Sequence, residues 1–472
     1  MRTPLHQRLS FAASGTVSGL IGNGIGYFLL LYYSQVLGLD AALAGLAMMI
    51  ALIFDAVSDP WIGRWSDGLK HRLGRRHPFL FAAIIPIPVA YYFIWDVPDL
   101  SQTGLFLYML GMTVVLRLSL TMHVVPFNAL LPELTKDYDV RTQLSGDRIA
   151  AAWFTGTLIS VVMYAWWLAD SPEYPDGSGI LRAEGYVSAG FAASVVVFVC
   201  LVYATIATRR HIPELAPPIP TVGWVETLRQ IYGTLAERSI LAVIASGLFG
   251  AIAGGTSISL WPYMQSYFWG FDSAQISLLL TGQLGSAVLA FFALPVITRQ
   301  RDKKQVLIVT SLCLIAVVTG PVMLSVSGLF FTAASGLLFP AMMVLGIIEV
   351  TLMVMTSTLT LSMIADITEH RAVVTDRREE GLLLSTQSFI AKVAGGVGVW
   401  TGGIMLTLIN FPTGATTAEV GADVIVRLGW LYGPILASFY LLSVFMLVFY
   451  RIDRGTHEGN VAILKEGSAE QT

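Results

Sequence analysis

Long apolar runs separated by short polar segments recur from one end of the chain to the other. A helix that crosses a bilayer needs about 20 consecutive apolar residues. Runs of that length recur along the whole sequence and predict twelve spanning helices. The predicted spans are 11–37, 41–64, 77–97, 103–131, 146–169, 185–207, 237–268, 274–299, 305–326, 334–364, 382–410 and 428–450.

The composition of the chain supports a membrane protein rather than a soluble one. Charged residues make up 12% of the 472 residues, and apolar residues make up 55%. A soluble protein carries about 25% charged residues. With a mean hydropathy of +0.69, much of the apolar surface must face the lipid bilayer. The net charge of −3 gives no reason to expect a nucleic-acid partner.

Lys and Arg residues gather in alternate loops of the predicted topology. Residues 64–76 carry five of them and residues 299–304 carry four, whereas residues 97–102 carry none. Loops enriched in Lys and Arg face the cytoplasm. We therefore expect a multi-pass protein of the cytoplasmic membrane with both termini in the cytoplasm, which requires an even number of spans.

The longest polar connection divides the spans into two sets of six. The stretch His211–Arg238 contains four prolines, and the fourth and tenth spans both end in an acidic residue, Glu133 or Asp366. Two similar six-span halves are the architecture of the major facilitator fold, with the substrate site between the halves. We therefore expect an all-α membrane protein with this fold. The predicted segments are an N-terminal half over 1–208, a cytoplasmic linker over 209–236, a C-terminal half over 237–450 and a cytoplasmic tail over 451–472.

Two acidic residues, Asp55 and Asp59, lie inside the second predicted span. Their i, i+4 spacing places both carboxylates on one helix face. Two bare carboxylates in a low dielectric repel, so they must share a proton or bind a cation. Oxygen ligands suit a hard cation such as Na⁺, and Ser58 can add a hydroxyl. The alternative is that both acids pair with basic residues at the cytoplasmic end of the helix.

Three basic residues also lie within predicted spans. We expect Arg117, near mid-membrane in the fourth span, to face the central cavity or to pair with an acid. Arg148 begins the fifth span, and Lys392 precedes a run of small residues in the eleventh. A buried Lys in such surroundings is a candidate counter-ion for an anionic group. The structural alternative is an ion pair between Lys392 and Glu349, a lone acid in the tenth span.

The sequence carries no motif that indicates an enzyme. His-Glu-x-x-His, Gly-x-Ser-x-Gly and paired metal motifs do not occur in it. Its two cysteines, Cys200 and Cys313, each lie inside an apolar run, which is typical of buried or lipid-facing residues rather than of a disulfide. We therefore expect no enzyme activity and no cofactor other than a coupling Na⁺ or H⁺.

Several longer segments resemble one transporter family, the glycoside–pentoside–hexuronide:cation symporters, which includes the sodium–melibiose symporter. The resemblance covers nearly the whole chain and rests on 55–63, Asp67, 72–78, 125–133 and 363–369. It implies import of a small solute by alternating access, driven by Na⁺, Li⁺ or H⁺. The resemblance also implies a monomer whose partners are the solute, the coupling cation and the lipid bilayer.

Site residues follow from matching this sequence to the family pattern. The resemblance assigns the cation to Asp55, Ser58, Asp59 and Thr121, with Asp55 and Asp59 as the metal-binding carboxylates. The residues predicted to meet the substrate are Gly19, Arg117, Val124, Asn128, Arg148 and Lys392. The residues predicted to form the cytoplasmic gate are Asp67, Arg75, Arg76, Glu133, Arg141 and Asp366.

The departures from the family pattern concern the substrate. Gly19 and Val124 stand where the melibiose carrier has carboxylates that hold the sugar, and Asn128 stands where it has a stacking Trp. The predicted function is therefore a cation-coupled secondary symporter that imports a sugar, a glycoside or a uronate. The alternative is a sodium-dependent transporter of an amphipathic or anionic substrate such as a lysolipid, because the segment His123–Leu130 is similar to one in lysophospholipid symporters.

Overall fold

A computed structural model describes residues 3–135, 137–175, 177–210, 212, 238–299, 301–375, 380–451, 455 and 459. Twelve helices in these residues are long and apolar enough to cross a membrane. They are α1 Leu5–Val36, α2 Ala41–Gly68, α3 His77–Trp95, α4 Gln102–Leu134, α5 Tyr138–Trp167, α6 Ala183–Arg209, α7 Ser239–Phe268, α8 Ser273–Thr298, α9 Lys303–Val326, α10 Leu338–Arg371, α11 Ser385–Leu408 and α12 Ala422–Leu447.

Each of the twelve predicted spans coincides with one of these helices, so the predicted number of spans is confirmed. The ends differ most where a helix continues into polar sequence. Helix α5 begins at Tyr138 rather than at 146, because the Asp137 side chain accepts hydrogen bonds from the backbone N–H groups of Asp139 and Val140. Hydropathy detects the lipid-facing middle of a helix and misses such a polar first turn.

Two predicted segments lie largely outside the described residues. They are the linker, of which 213–236 falls outside, and the tail, of which only 451, 455 and 459 are described. The proposed boundaries between the two halves therefore stay predictions.

One compact unit comprises Met1–Thr221, Ile258–Thr281 and Val399–Ile425. Within it α1 lies directly against α5, because two glycines allow the backbones to approach. A Cβ atom on Gly15 would collide with the carbonyl oxygen of Arg148, and one on Gly19 would collide with that of Ala152. Small residues permit this close contact between membrane helices.

The second half of α1 is anchored to α3 by aromatic residues. It is π-helical over Gly24–Leu29 and Tyr32–Val36. The buried Tyr32 hydroxyl donates to the carbonyl of Trp95 at 2.6 Å, and Tyr33 donates to that of Ile94 at 3.1 Å. Buried tyrosines need such partners for their hydroxyl groups. These bonds therefore hold the C-terminal end of α1 against the end of α3.

The other compact unit comprises Val222–Ser257, Gly282–Gly398 and Val426–Thr472. Its helices α7 and α11 approach closely, since a Cβ on Gly255 would meet the Gly395 carbonyl and one on Gly398 would meet that of Ile252. Helices α7, α9, α10, α11 and α12 line a cavity of about 350 Å³. The Lys304 ammonium donates to two carbonyls at the end of α12, which stabilises that helix end.

Prediction one concerns the contact between α1 and α5. Gly19→Ala should destabilise the protein by about 1–3 kcal/mol, because the added methyl group overlaps the Ala152 carbonyl. Gly22→Ala on the same helix is the control, since a Cβ there meets nothing within 4 Å. Thermal unfolding followed by size-exclusion chromatography in detergent measures the difference. Equal melting temperatures for the two variants would contradict the close contact.

Candidate cation site and its surroundings

The candidate site lies between α2 and α4, which run in the same direction. Asp55 and Asp59 both lie beside Thr121. One turn further along, a Cβ on Gly63 would lie 3.5 Å from the Val125 side chain. Residues four apart on α2 therefore face residues four apart on α4. The side chains that face each other lie at the same depth in the membrane.

Thr121 joins the four residues predicted to bind the cation. Its Oγ1 lies 2.9 Å from Asp55 Oδ1, 3.1 Å from Asp59 Oδ1 and 3.4 Å from Ser58 Oγ. Asp55, Ser58 and Thr121 are all at least 95% buried. A hydroxyl carries one proton and can donate to one of the two carboxylates at a time. The second carboxylate therefore needs another positive or donating group.

The oxygen ligands favour a hard cation or a proton. Ser58 donates its own proton to the Asp55 carbonyl at 3.0 Å, which leaves the Ser58 oxygen as an acceptor beside Thr121. Carboxylate and hydroxyl oxygens suit hard cations, whereas transition metals favour His and Cys. Within the described residues no group of three His, Cys, Asp or Glu side chains could hold a metal ion.

A basic partner for Asp55 comes from α4. Arg117 Nη1 lies 3.7 Å from Asp55 Oδ2, and the Arg117 side chain is 21% exposed. Of the two expectations for Arg117, pairing with an acid is the one that the structure shows. The alternative that both acids pair with basic residues at the cytoplasmic end of the helix stays a prediction. Sequence reasoning missed the identity of the pair, because nothing in the sequence gives the register between α2 and α4.

The remaining predicted substrate residues occupy different environments. Gly19 is buried against the backbone of α5, so a carboxylate has no room there. Val124 is half-buried, and Asn128 is exposed. Arg148 on α5 is half-buried, and its Nε has no hydrogen-bond partner among the described residues. Their contact with a substrate stays a prediction.

His123 lies close to these residues and has a structural partner. Its ring is fully buried and stacks on Phe127 with centroids 5.3 Å apart. Its Nε2 lies 3.1 Å from the Ser14 hydroxyl on α1. The imidazole therefore links α4 to α1 through a hydrogen bond in the interior of the bundle.

Lys392 belongs to the second compact unit, where it is half-buried on α11. The structural alternative given in the sequence analysis was an ion pair between Lys392 and Glu349. Glu349 forms no ion pair with any residue that the structure describes, and it interacts electrostatically with Tyr432 and Tyr440 on α12. That proposed pair is therefore not formed.

Four of the predicted gate residues form one buried ionic network. Glu133 Oε1 accepts from Arg75 Nη2 at 2.8 Å and from Arg76 Nε at 2.7 Å. Arg76 also lies 3.1 Å from Asp67. Because both arginine side chains are at most 6% exposed, this network fixes the loop after α2 to the ends of α2 and α4.

The other two predicted gate residues have separate contacts. Arg141 donates to the Thr135 carbonyl at 3.3 Å and so stabilises the turn between α4 and α5. Asp366, in the second compact unit, accepts two bonds of 2.7 and 2.8 Å from Lys303 at the start of α9.

A further group of contacts joins α1 to the end of α7 within the first compact unit. The rings of Tyr27 and Trp261 lie 5.2 Å apart in an edge-to-face arrangement, and the Ser34 and Tyr263 hydroxyls are hydrogen-bonded. We call these four residues the α1–α7 seam. Sequence reasoning missed the seam, although the aromatic residues at the end of the seventh predicted span were a visible signal.

The family described as MFS/sugar transport protein matches residues 10–454. The chain belongs to this family. The resemblance to the glycoside–pentoside–hexuronide:cation symporters is confirmed, since relatives of this chain are named a putative glycoside/cation symporter and a glucuronide carrier protein homolog. The family comprises transporters and not enzymes.

Three relatives illustrate the match. An uncharacterized symporter of Synechocystis is 35% identical over 36% of this chain and 32% of its own length. The putative glycoside/cation symporter YagG of Escherichia coli is 22% identical over 95% of this chain and 93% of its own. A sodium-dependent lysophosphatidylcholine symporter of Danio rerio is 26% identical over 33% of this chain and 29% of its own length. The chain thus matches only about a third of the length of the Synechocystis relative.

Solved structures show the same fold. One of them is the xylose transporter XylE of Escherichia coli in an inward-open conformation, with a TM-score of 0.62 and 14% sequence identity. The match covers 97% of this chain and 98% of the XylE chain. The predicted fold class, an all-α major facilitator fold with twelve transmembrane helices, is therefore confirmed, and the protein is a multi-pass membrane protein.

Prediction two concerns the buried network. Glu133→Gln should destabilise the protein by about 3–5 kcal/mol, because it leaves Arg75 and Arg76 without their shared carboxylate in a buried site. Asp147→Asn is the control, since it removes a half-exposed pair with Arg8 worth at most about 1 kcal/mol. Thermal unfolding measures both. A similar small effect for the two variants would contradict a structural role of the network.

Proposed function

We propose that this protein is a cation-coupled secondary symporter that imports a small solute across the cytoplasmic membrane. The observation that carries the proposal is the contact of Thr121 with both Asp55 and Asp59 inside two spanning helices. A monovalent cation or a proton supplies the positive charge that the buried Asp55 and the half-buried Asp59 require. The protein works as a monomer with both termini in the cytoplasm.

Cation and solute stabilise each other's binding in this proposal. Such coupling is reciprocal, because each ligand must raise the affinity for the other by the same factor. The cation brings α2 and α4 together at Asp55, Asp59 and Thr121. The network of Arg75, Arg76 and Glu133 forms part of the cytoplasmic gate.

The solute is a sugar, a glycoside or a uronate. Support comes from the name of the Escherichia coli relative, a putative glycoside/cation symporter. Arg148 provides positive charge for hydroxyl or carboxylate oxygens, while Gly19, Val124 and Asn128 supply no carboxylate that could hold a neutral sugar. Among the three candidates, these residues favour a uronate, which carries an anionic group.

A lysolipid is the second candidate solute. The lysophosphatidylcholine symporter of Danio rerio supports it, and a phosphate group would suit the Arg148 side chain. Uptake of a lysolipid that uronates and glycosides fail to inhibit would favour this candidate over the first.

Prediction three tests the cation site. Asp55→Asn and Asp59→Asn should each lower cation-stimulated uptake at least tenfold, because a neutral amide cannot hold the coupling ion. Uptake into proteoliposomes is measured for a panel of a pentoside, a glycoside, a uronate and a lysolipid, with Na⁺ or with an imposed proton gradient. Asp99→Asn in an exposed loop is the control. Cation stimulation that survives in both site variants would overturn the proposal.

A further inference from the structure

Arg117 makes a looser ion pair than the other arginines buried in the same unit. Its shortest distance to Asp55 is 3.7 Å, which exceeds hydrogen-bonding distance. Its Nε is buried and has no hydrogen-bond partner among the described residues. Arg75 and Arg76, in contrast, lie 2.6–2.8 Å from Glu133. Arg117 is therefore held near Asp55 by its charge and not by a fixed hydrogen-bond geometry.

The Arg117 side chain also has room to move. It is 21% exposed, whereas Arg75 and Arg76 are 3% and 6% exposed. An arginine has a long flexible stem and a guanidinium that stays charged at every physiological pH. Its charge can leave Asp55 only by displacement of the side chain.

Arg117 and the predicted cation site share one carboxylate. Asp55 Oδ1 lies 2.9 Å from Thr121 Oγ1, and Asp55 Oδ2 lies 3.7 Å from Arg117 Nη1. A bound cation would therefore share the Asp55 carboxylate with Arg117, and two positive groups on one carboxylate repel each other.

We infer that the Arg117 guanidinium is a tethered cation that competes with the coupling ion for Asp55 and sets the affinity of the site for that ion. When the site holds no ion, Arg117 neutralises Asp55; when an ion binds, the guanidinium moves away. Its five N–H donors are then free for another acceptor, such as a carboxylate or phosphate oxygen. This inference rests on the proposed function, since it assumes that Asp55 and Asp59 bind the ion.

The test uses purified full-length protein and needs no transported solute. The melting temperature is measured against NaCl or LiCl concentration, with choline chloride holding the ionic strength constant. A ligand that binds the folded state raises the melting temperature once its concentration exceeds Kd, by an amount that grows with the logarithm of that concentration divided by Kd. Arg117→Gln should lower the half-saturating Na⁺ concentration at least tenfold, and it should melt below the wild type when Na⁺ is absent. Asp55→Asn should abolish the response.

Arg117→Lys separates charge from packing. It keeps the positive charge, so its half-saturating Na⁺ concentration should be at or above the wild-type value. If Arg117 had a purely structural role, both substitutions would shift the half-saturating Na⁺ concentration in the same direction. Should Arg117→Gln fail to give a monodisperse protein, Arg117→Met provides the same neutralisation.

The outcomes distinguish the two claims. If the wild type responds to Na⁺ or Li⁺ and Arg117→Gln responds at the same concentrations, the inference about Arg117 is overturned while the cation site stands. The cation site itself is overturned if two results coincide. Neither protein responds to Na⁺ or Li⁺, and neither shows a response to pH that Asp55→Asn removes.

Discussion

Two carboxylates one helical turn apart inside a bilayer cannot both remain bare, and the contacts between α2 and α4 reflect this constraint. Thr121 reaches both acids but has one proton to donate. Arg117 offers its positive charge to Asp55 at a distance of 3.7 Å. In the proposed function, a monovalent ion or a proton completes the site. A site that is stable in two charge states is what a coupled transporter requires.

The same two helices carry a second ionic cluster with the opposite character. At their C-terminal ends, Glu133 accepts short bonds from two buried arginines, and Arg76 reaches Asp67 as well. Breaking such a buried network is strongly destabilising. Helices α2 and α4 are thus held together by short ionic bonds at one end. Near their middle they are held by the Thr121 hydrogen bonds and by the longer contact between Asp55 and Arg117.

The sequence predicted some of these features well and others poorly, for physical reasons. Spanning helices follow from hydropathy, and the grouping of Asp55, Ser58 and Asp59 follows from helical periodicity. The Asp55–Arg117 pair depends on the register between two helices, which no local pattern encodes. The hydrogen bonds of Tyr32 and Tyr33 to α3, which lie in the π-helical turn Tyr32–Val36, likewise depend on the register between two helices. Residue types in one helix are therefore predictable, while their partners in another helix are not.

Gly19 shows how packing limits the chemistry of recognition. Its hydrogen atom faces the carbonyl of Ala152, and any side chain there would force α1 away from α5. In the family resemblance, a sugar-binding carboxylate stands at this position. A carboxylate at residue 19 is incompatible with the close contact between α1 and α5. A protein that keeps the contact must recognise its solute with other groups. In the proposed function Arg148 on α5 is such a group, because its guanidinium suits the carboxylate or phosphate oxygens of an anionic solute.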